Sequence, residues 1–247
     1  MHALLLLQSL ASYVKILLNY ILFTLLLYIK NKDLQVQPLF VSATGTNVGK
    51  THTTLQLIKG FGEIGIRIGV FKPIETGVKG LPHDASLLLE ACSKYNPAFA
   101  SLTPIDTTAY TFALPAAPFC ADTMHEISID HILQKYHQLS NLCDLLLIEG
   151  AGGLMVPITK EYKMIDLAKD LNAKMLLVTP SRLGCINDTL LSMEALKNRN
   201  IHFEWCVNLY EDKISFEKVS QPFYDAVFPG WWNIQTGLNR FISGYSL

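Results

Sequence analysis

Residues Leu39 to Thr54 read LFVSATGTNVGKTHTT: a short apolar run, a turn of small residues, then Gly-Lys-Thr leading into a helical pattern. No other stretch constrains the fold as strongly, because it passes a buried strand through a tight turn directly into a helix. A strict phosphate loop, G-x-x-x-x-G-K-[ST], needs glycine at position 44. That position is Thr44, with Gly45 next to it, while Gly49, Lys50 and Thr51 match. Context outweighs the missing glycine. Consecutive backbone N–H groups and a helix N-terminus make an anion cradle. Lys50 has the reach for phosphate oxygens, and the Thr51 hydroxyl is a magnesium ligand by type. The bland alternative is a β–α turn with an incidental lysine.

Beyond this unit, apolar runs alternate with helical patterns. The runs are Leu39–Ser42, Ile66–Phe71, Leu145–Ile148, Met175–Val178 and Trp205–Leu209, and the helical patterns cover Lys50–Ile64, Asp84–Ser93, Ser128–Leu139, Met164–Leu171 and Ile186–Lys197. Near-continuous Val/Ile/Leu strands between helices predict an α/β fold: one doubly wound, mostly parallel sheet with helices on both faces. Asn96–Phe119 is Pro-rich and aperiodic, and reads as an ordered loop beside a site or an irregular crossover. Residues 39–247 are expected to form one domain.

The chain has 247 residues, half of them hydrophobic, and a formal net charge of −1. No basic cluster points to nucleic acid. The five cysteines show neither C-x-x-C nor metal-ligand spacing, which suits reduced thiols in the cytoplasm. Residues 1–38 form an apolar extension, densest over residues 1–34. Its uninterrupted part, Ile16 to Ile29, would span roughly 21 Å as a helix, short of a hydrocarbon core of roughly 30 Å. A membrane anchor, an amphipathic addition and a mis-assigned start are all consistent with it; membrane attachment is the minority expectation.

Two further segments carry acid and base chemistry. In CDLLLIEGAGG, Glu149 follows the apolar run and precedes a flexible turn of Gly150, Ala151, Gly152 and Gly153. A carboxylate at the carboxyl end of a buried parallel strand lies where open α/β sheets bind ligands. With Thr51 and another acid it forms an oxygen set that suits magnesium. In VFKPIETG, Lys72 ends a strand just before Pro73, with Thr76 and Gly77 in a turn. A second lysine at that edge would stabilise a transferring phosphoryl group or an anionic acceptor, although taken alone Lys72 reads more readily as a surface lysine at a strand end. Asp84, in HDASLLLEA, reads either as a metal ligand or as the N-cap of a helix. Taken alone, the cap is favoured.

The set ATGTNVGKT, FKPIETG, HDASLL, IEGAGGLMVPI and LGCIND, in that order, resembles the ATP-dependent dethiobiotin synthetases, which are P-loop NTPase-like in fold. The resemblance runs from about Leu39 to Asn208 and is weak beyond. It implies that Asn47, Val48, Gly49, Lys50, Thr51 and His52 wrap the ATP phosphates, and that Lys72 and Lys50 are catalytic. Thr51, Asp84 and Glu149 would hold Mg2+, Gly150, Ala151 and Gly152 would line the nucleotide, and Asn208 would read the base. Thr46 and Thr76 fall on the substrate side. Gly184, Cys185, Ile186 and Asn187 would hold the substrate carboxylate across a homodimer interface. The implied reaction joins CO2 to 7,8-diaminopelargonate and closes the ring through a carbamic-phosphoric anhydride, consuming ATP.

Where many relatives have glycine this chain has Ala43. If the loop needs a positive φ there, alanine is strained and Gly45 takes the turn. Trp231 and Trp232 could stack on a base, but burial is the better expectation for both. The rival reading is a membrane-associated ATP switch of the partitioning kind. Such switches carry an extra lysine early in the loop, and Ser42 to Val48 contains none.

Overall fold

The structure is a computed structural model that describes residues 37–210 and 213–245. The expectations for residues 1–34 lie outside the described residues. Six strands form one sheet: β1 (Leu39–Ala43), β2 (Ile68–Thr76), β3 (Thr108–Phe112), β4 (Leu145–Gly153), β5 (Lys174–Pro180) and β6 (Phe203–Asn208). Their order is β3-β2-β4-β1-β5-β6, and every pairing is parallel. All five residues of β1 and the first eight of β2 are buried. Since successive side chains point to opposite faces, both faces of the sheet are covered.

The longer helices are α1 (Lys50–Glu63), α2 (His83–Ser93), α3 (Ile129–Ser140), α4 (Met164–Asp170), α5 (Cys185–Lys197), α6 (Lys213–Val219), α7 (Gln221–Val227) and α8 (Ile234–Gly244). Helix α1 packs against α2 and α8. The first five expected helices agree with α1 to α5 within a residue at each end, because each has an apolar stripe and a clear start. The Ser128 side chain, for example, accepts a hydrogen bond from the His131 amide and caps α3.

Three expectations needed correction. First, β2 does not end at Lys72 but continues through Pro73 to Thr76. Pairing with β4 stops at Phe71, and from Lys72 onward β2 pairs with β3 alone. Pro73, lacking an N–H, is therefore tolerated where one side of the strand has no partner. Second, Asn96–Phe119 is not a loop throughout. It contains β3 and two short helical turns, Pro97–Ala100 and Pro118–Ala121. β3 is a half-exposed edge strand, so its apolar pattern is faint. Buried Asn96 anchors the segment, its amide donating to the Ile68 and Leu142 carbonyls at 2.9 Å each. Third, Gly150–Gly153 is not a separate turn but the end of β4. There Val41 pairs with Glu149 and Ala43 with Gly153, so three β4 residues lie opposite one of β1.

After Asn208 the chain packs aromatically. Tyr224 and Phe216 are fully buried on Val207 and Cys185, with Trp231 against them. Trp232 is buried and stacks on Phe241. The expectation of burial holds for Trp232, whereas Trp231 is only half-buried at the edge of this cluster.

Candidate active site

The carboxyl ends of β1, β2 and β4 are adjacent, so their terminal residues converge. The loop 44–49 leaves β1 and enters α1 at Gly49, which no side chain caps and which no acidic residue follows in the first turn. The first amides of any helix lack intrahelical partners, and here no side chain of the N-cap takes them up. The backbone takes positive φ at Asn47 (58°) and Gly49 (101°), not at Ala43 or Gly45. This corrects the expected strain at Ala43, which lies inside β1 with ordinary extended geometry. Gly49 is required twice over: besides its φ, a Cβ there would lie 2.1 Å from the Asn208 amide nitrogen. Thr46, Asn47 and His52 are exposed along this loop and the first turn, while Val48 is buried.

Lys50 is buried, and its ammonium donates to the Gly45 carbonyl at 3.1 Å. Burial, and then the neighbouring charge of Lys72, lowers its pKa to about 8. Lys72 is buried too, but between acids: its Nζ lies 2.6 Å from Glu149 Oε1 and 3.0 Å from Asp84 Oδ2. Burial works against its charge, yet the two carboxylates outweigh that and hold it above the usual lysine value. Glu149, fully buried, also accepts from the Thr51 hydroxyl at 3.0 Å and from the Thr54 hydroxyl at 2.9 Å. Thr51, Lys72, Asp84 and Glu149, separated by up to 98 residues, thus form one contact network.

The donor set fits a magnesium ion: one hydroxyl and two carboxylates, all oxygen, gathered around a single ammonium that is now the cation shared by both acids. The hydroxyls of Ser42, Thr44 and Thr53, around the base of the loop, are buried without a hydrogen-bond partner, which leaves polar atoms there unsatisfied.

Asp84 is not the cap of α2. The N-cap is Pro82, and Asp84 sits in the first turn with its carboxylate on Lys72. The amides of Asp84 and Ala85 donate instead to Glu75 of β2, at 2.9 and 3.0 Å. Sequence reading missed Glu75, although an acid three residues after Lys72 and a proline before a helix were both visible. Thr54 was missed as well; it lies one helical turn after Lys50, and its single O–H is shared between Glu149 and the Lys50 carbonyl, 3.0 Å away.

Gly150 is buried, whereas Ala151 and Gly152 are partly open, and Gly152 takes φ 64° beside Val156. Thr76, half-buried, ends β2. Asn208, at the end of β6, donates to the Val48 carbonyl at 3.0 Å and accepts from Gln235 at 3.3 Å, which ties the phosphate loop to α8. Gln235 lies where the sequence offered no recognisable signal. Gly184 is the left-handed N-cap of α5, followed by buried Cys185, half-buried Ile186 and exposed Asn187. Beside this helix start, Arg182 pairs with Asp188 at 2.6 Å. No contact joins residues 184–187 to the Lys72 network among the described residues.

A protein-family model described as an AAA domain matches residues 37–207. The chain is 66% identical over 203 residues to the ATP-dependent dethiobiotin synthetase BioD of Sulfurovum sp. (strain NBC37-1), covering 82% of this chain and 97% of that protein. It is 42% identical to the protein of the same name from Wolinella succinogenes, covering 76% of this chain and 88% of the relative. The Helicobacter pylori (strain ATCC 700392 / 26695) protein of that name is 38% identical, covering 76% and 88%. Among solved structures, the chain is similar to the MinC:MinD cell division protein complex of Aquifex aeolicus at 14% identity. That match has a TM-score of 0.48 and covers 84% of this chain and 85% of that one. By the extent and identity of these sequence matches, the chain belongs to the family of ATP-dependent dethiobiotin synthetases.

Proposed function

We propose that the chain makes dethiobiotin from 7,8-diaminopelargonate, CO2 and ATP, and that the network of Thr51, Lys72, Asp84 and Glu149 is where it does so. The observation that carries this reading is Lys72, buried and flanked by two carboxylates at the mouth of a phosphate-type loop. The amides of residues 47–52, at the start of α1, hold the ATP phosphates. Lys50, whose ammonium rests on the Gly45 carbonyl within the loop, exchanges it for a phosphate oxygen.

One amine of the diamine adds CO2 to form a carbamate, whose oxygen attacks the γ-phosphorus while the bond to ADP breaks. The neighbouring amine then attacks the carbonyl, phosphate leaves, and the cyclic urea forms. Alignment and charge neutralisation supply most of the acceleration in such transfers. Lys72 is the ammonium within reach of both the carbamate and the transferring phosphoryl. In the free protein its ion pairs with Glu149 and Asp84 hold it at the mouth of the loop and keep it protonated. Thr51, Asp84 and Glu149 would hold Mg2+, which would supply neutralisation of the phosphate charge. Thr46 and Thr76 belong to the diamine side, and Gly150 to Gly152 with Asn208 to the nucleotide side.

The N-terminus of α5 at Gly184–Asn187 favours an anion, in keeping with a carboxylate contributed across a homodimer. Leu183 and Leu191 stand exposed around that helix start, apolar surface of the kind a second copy would cover. Five free cysteines, four of them buried, agree with a reducing cytoplasm. Among the described residues no helix is long and apolar enough to cross a membrane. The partitioning-switch alternative lacks the extra lysine early in the loop, since Ser42 to Val48 contains none, and it leaves the Lys72 segment unexplained. Incubation with 7,8-diaminopelargonate, bicarbonate, ATP and magnesium should yield the cyclic urea with one ADP per turnover; ADP release without that product would reject this reading.

A further inference from the structure

We infer that Glu75 is a positioning residue that sets the place of Asp84. This rests on the reading of Asp84 as a metal-site acid. A helix ordinarily satisfies its first amides with a side chain from its own N-cap, which bonds the second or third amide of the helix. In α2 that place is held by Pro82, which has no polar side chain. The amides in question belong to Asp84 and Ala85, and both are taken by Glu75, one to each carboxylate oxygen. Glu75 is 6% exposed, and those two N–H groups give each of its buried oxygens a hydrogen-bond partner.

The consequence lies in which element does the capping. A local cap would tie the start of α2 to its own loop, whereas Glu75 ties it to β2, the strand that carries Lys72. Asp84 is then held twice by one strand, its amide by Glu75 and its carboxylate by Lys72 at 3.0 Å. When Lys72 turns toward a phosphoryl group, the side-chain tie is released and the backbone tie stays. Asp84 is thereby kept in register with Glu149 without help from Lys72. Glutamate suits this position because both of its oxygens are used. Aspartate is a methylene shorter, and glutamine would turn an N–H donor toward one of the amides.

The test compares the full-length protein with Glu75→Ala, Glu75→Gln, Asp84→Asn and the double variant Glu75→Ala/Pro82→Ser. For each, the affinity for a non-hydrolysable ATP analogue is measured by calorimetry with and without magnesium, alongside the melting temperature. Ser at position 82 would bond the same amides locally, restoring the cap but not the tie to β2. Expected is a loss of about tenfold in the magnesium-dependent gain of affinity for Glu75→Ala and Glu75→Gln, with magnesium-free affinity within about twofold of native. The double variant should regain melting temperature but not the magnesium effect. Recovery of both would overturn the inference and leave Glu75 as a plain helix cap. A magnesium effect unchanged in both Glu75 variants, with Asp84→Asn impaired, would also overturn it while sparing the metal-site reading. An Asp84→Asn protein with native magnesium dependence would defeat the metal-site reading and this inference together. Should Glu75→Ala fail to fold, the Glu75→Gln result decides.

Discussion

Lys72 and Glu149, 77 residues apart in the chain, meet at 2.6 Å with almost no solvent at either side chain. Two buried charges tolerate each other's presence there because each is the other's main compensation, and Asp84 and the two threonines satisfy the rest. Breaking such a pair from one side leaves an orphaned charge, which is far more costly than removing both partners.

Lys72→Ala should therefore abolish dethiobiotin formation while nucleotide binding survives. It should also lower stability by about 3–5 kcal/mol through the uncompensated Glu149 carboxylate. The double variant Lys72→Met/Glu149→Gln should recover most of that stability and none of the activity. Denaturant unfolding and a product assay on both proteins check this; a Lys72→Ala enzyme with near-native turnover would reject a catalytic role.

Thr54→Val removes one of the two hydroxyls that hold Glu149 without touching the phosphate loop. A buried carboxylate short of one donor costs about 1.5–3 kcal/mol. Turnover should fall by about tenfold, with the weaker site visible as a higher magnesium requirement. Serine at the same position keeps the hydroxyl and should restore both quantities.

Gly49→Ala meets two obstacles at once. The left-handed backbone costs a side chain about 1–2 kcal/mol, and the added Cβ would strike the Asn208 amide at 2.1 Å. Asn208 must move, which gives up its bond to the Val48 carbonyl. Nucleotide affinity should drop at least about tenfold, while Gly45→Ala should be nearly silent because nothing lies within 4 Å of its Cβ. Equal losses in the two variants would contradict this account of the loop.

Lys50 gives the nucleotide site a pH dependence of definite sign. Burial and Lys72 lower its pKa to about 8 in the free protein, and a bound phosphate must raise it. Below about pH 8 the lysine is charged before and after binding, so affinity is level. Above it the free protein has lost the proton that the complex keeps, so binding takes one up and affinity falls by up to about tenfold per pH unit. Calorimetry near pH 9 in buffers of different ionisation enthalpy should detect that uptake, and Lys50→Arg should abolish it.

The described residues, from Gln37 onward, form one compact unit. A chain shortened to begin at Gln37 should retain activity within about twofold, provided Gln37 stays, since its carbonyl accepts from the Tyr245 hydroxyl at 3.0 Å. Loss of activity on trimming would assign a role to the residues removed.

The β–loop–α unit, the strand acid Glu149 and five of the helices were legible in the sequence because their signals are local. Apolar periodicity, caps and Gly-Lys-Thr depend on neighbours a few residues away. β3 was not legible: a half-exposed edge strand has little apolar pattern, and its role comes from pairing with β2 beyond Pro73. Ala43 was judged by comparison with a motif, and only the backbone revealed that the positive φ falls at Asn47 and Gly49.

By itself the sequence determined the fold class, the family and the list of groups with the right chemistry. Tertiary structure alone decided which of those groups touch. Asp84 read more readily as a helix cap until the sheet supplied Glu75 to do the capping, and Lys72 as a surface lysine until β4 brought Glu149 against it. The reason is physical: contacts between residues 9 to 98 positions apart depend on strand order and register, which no short window of sequence encodes.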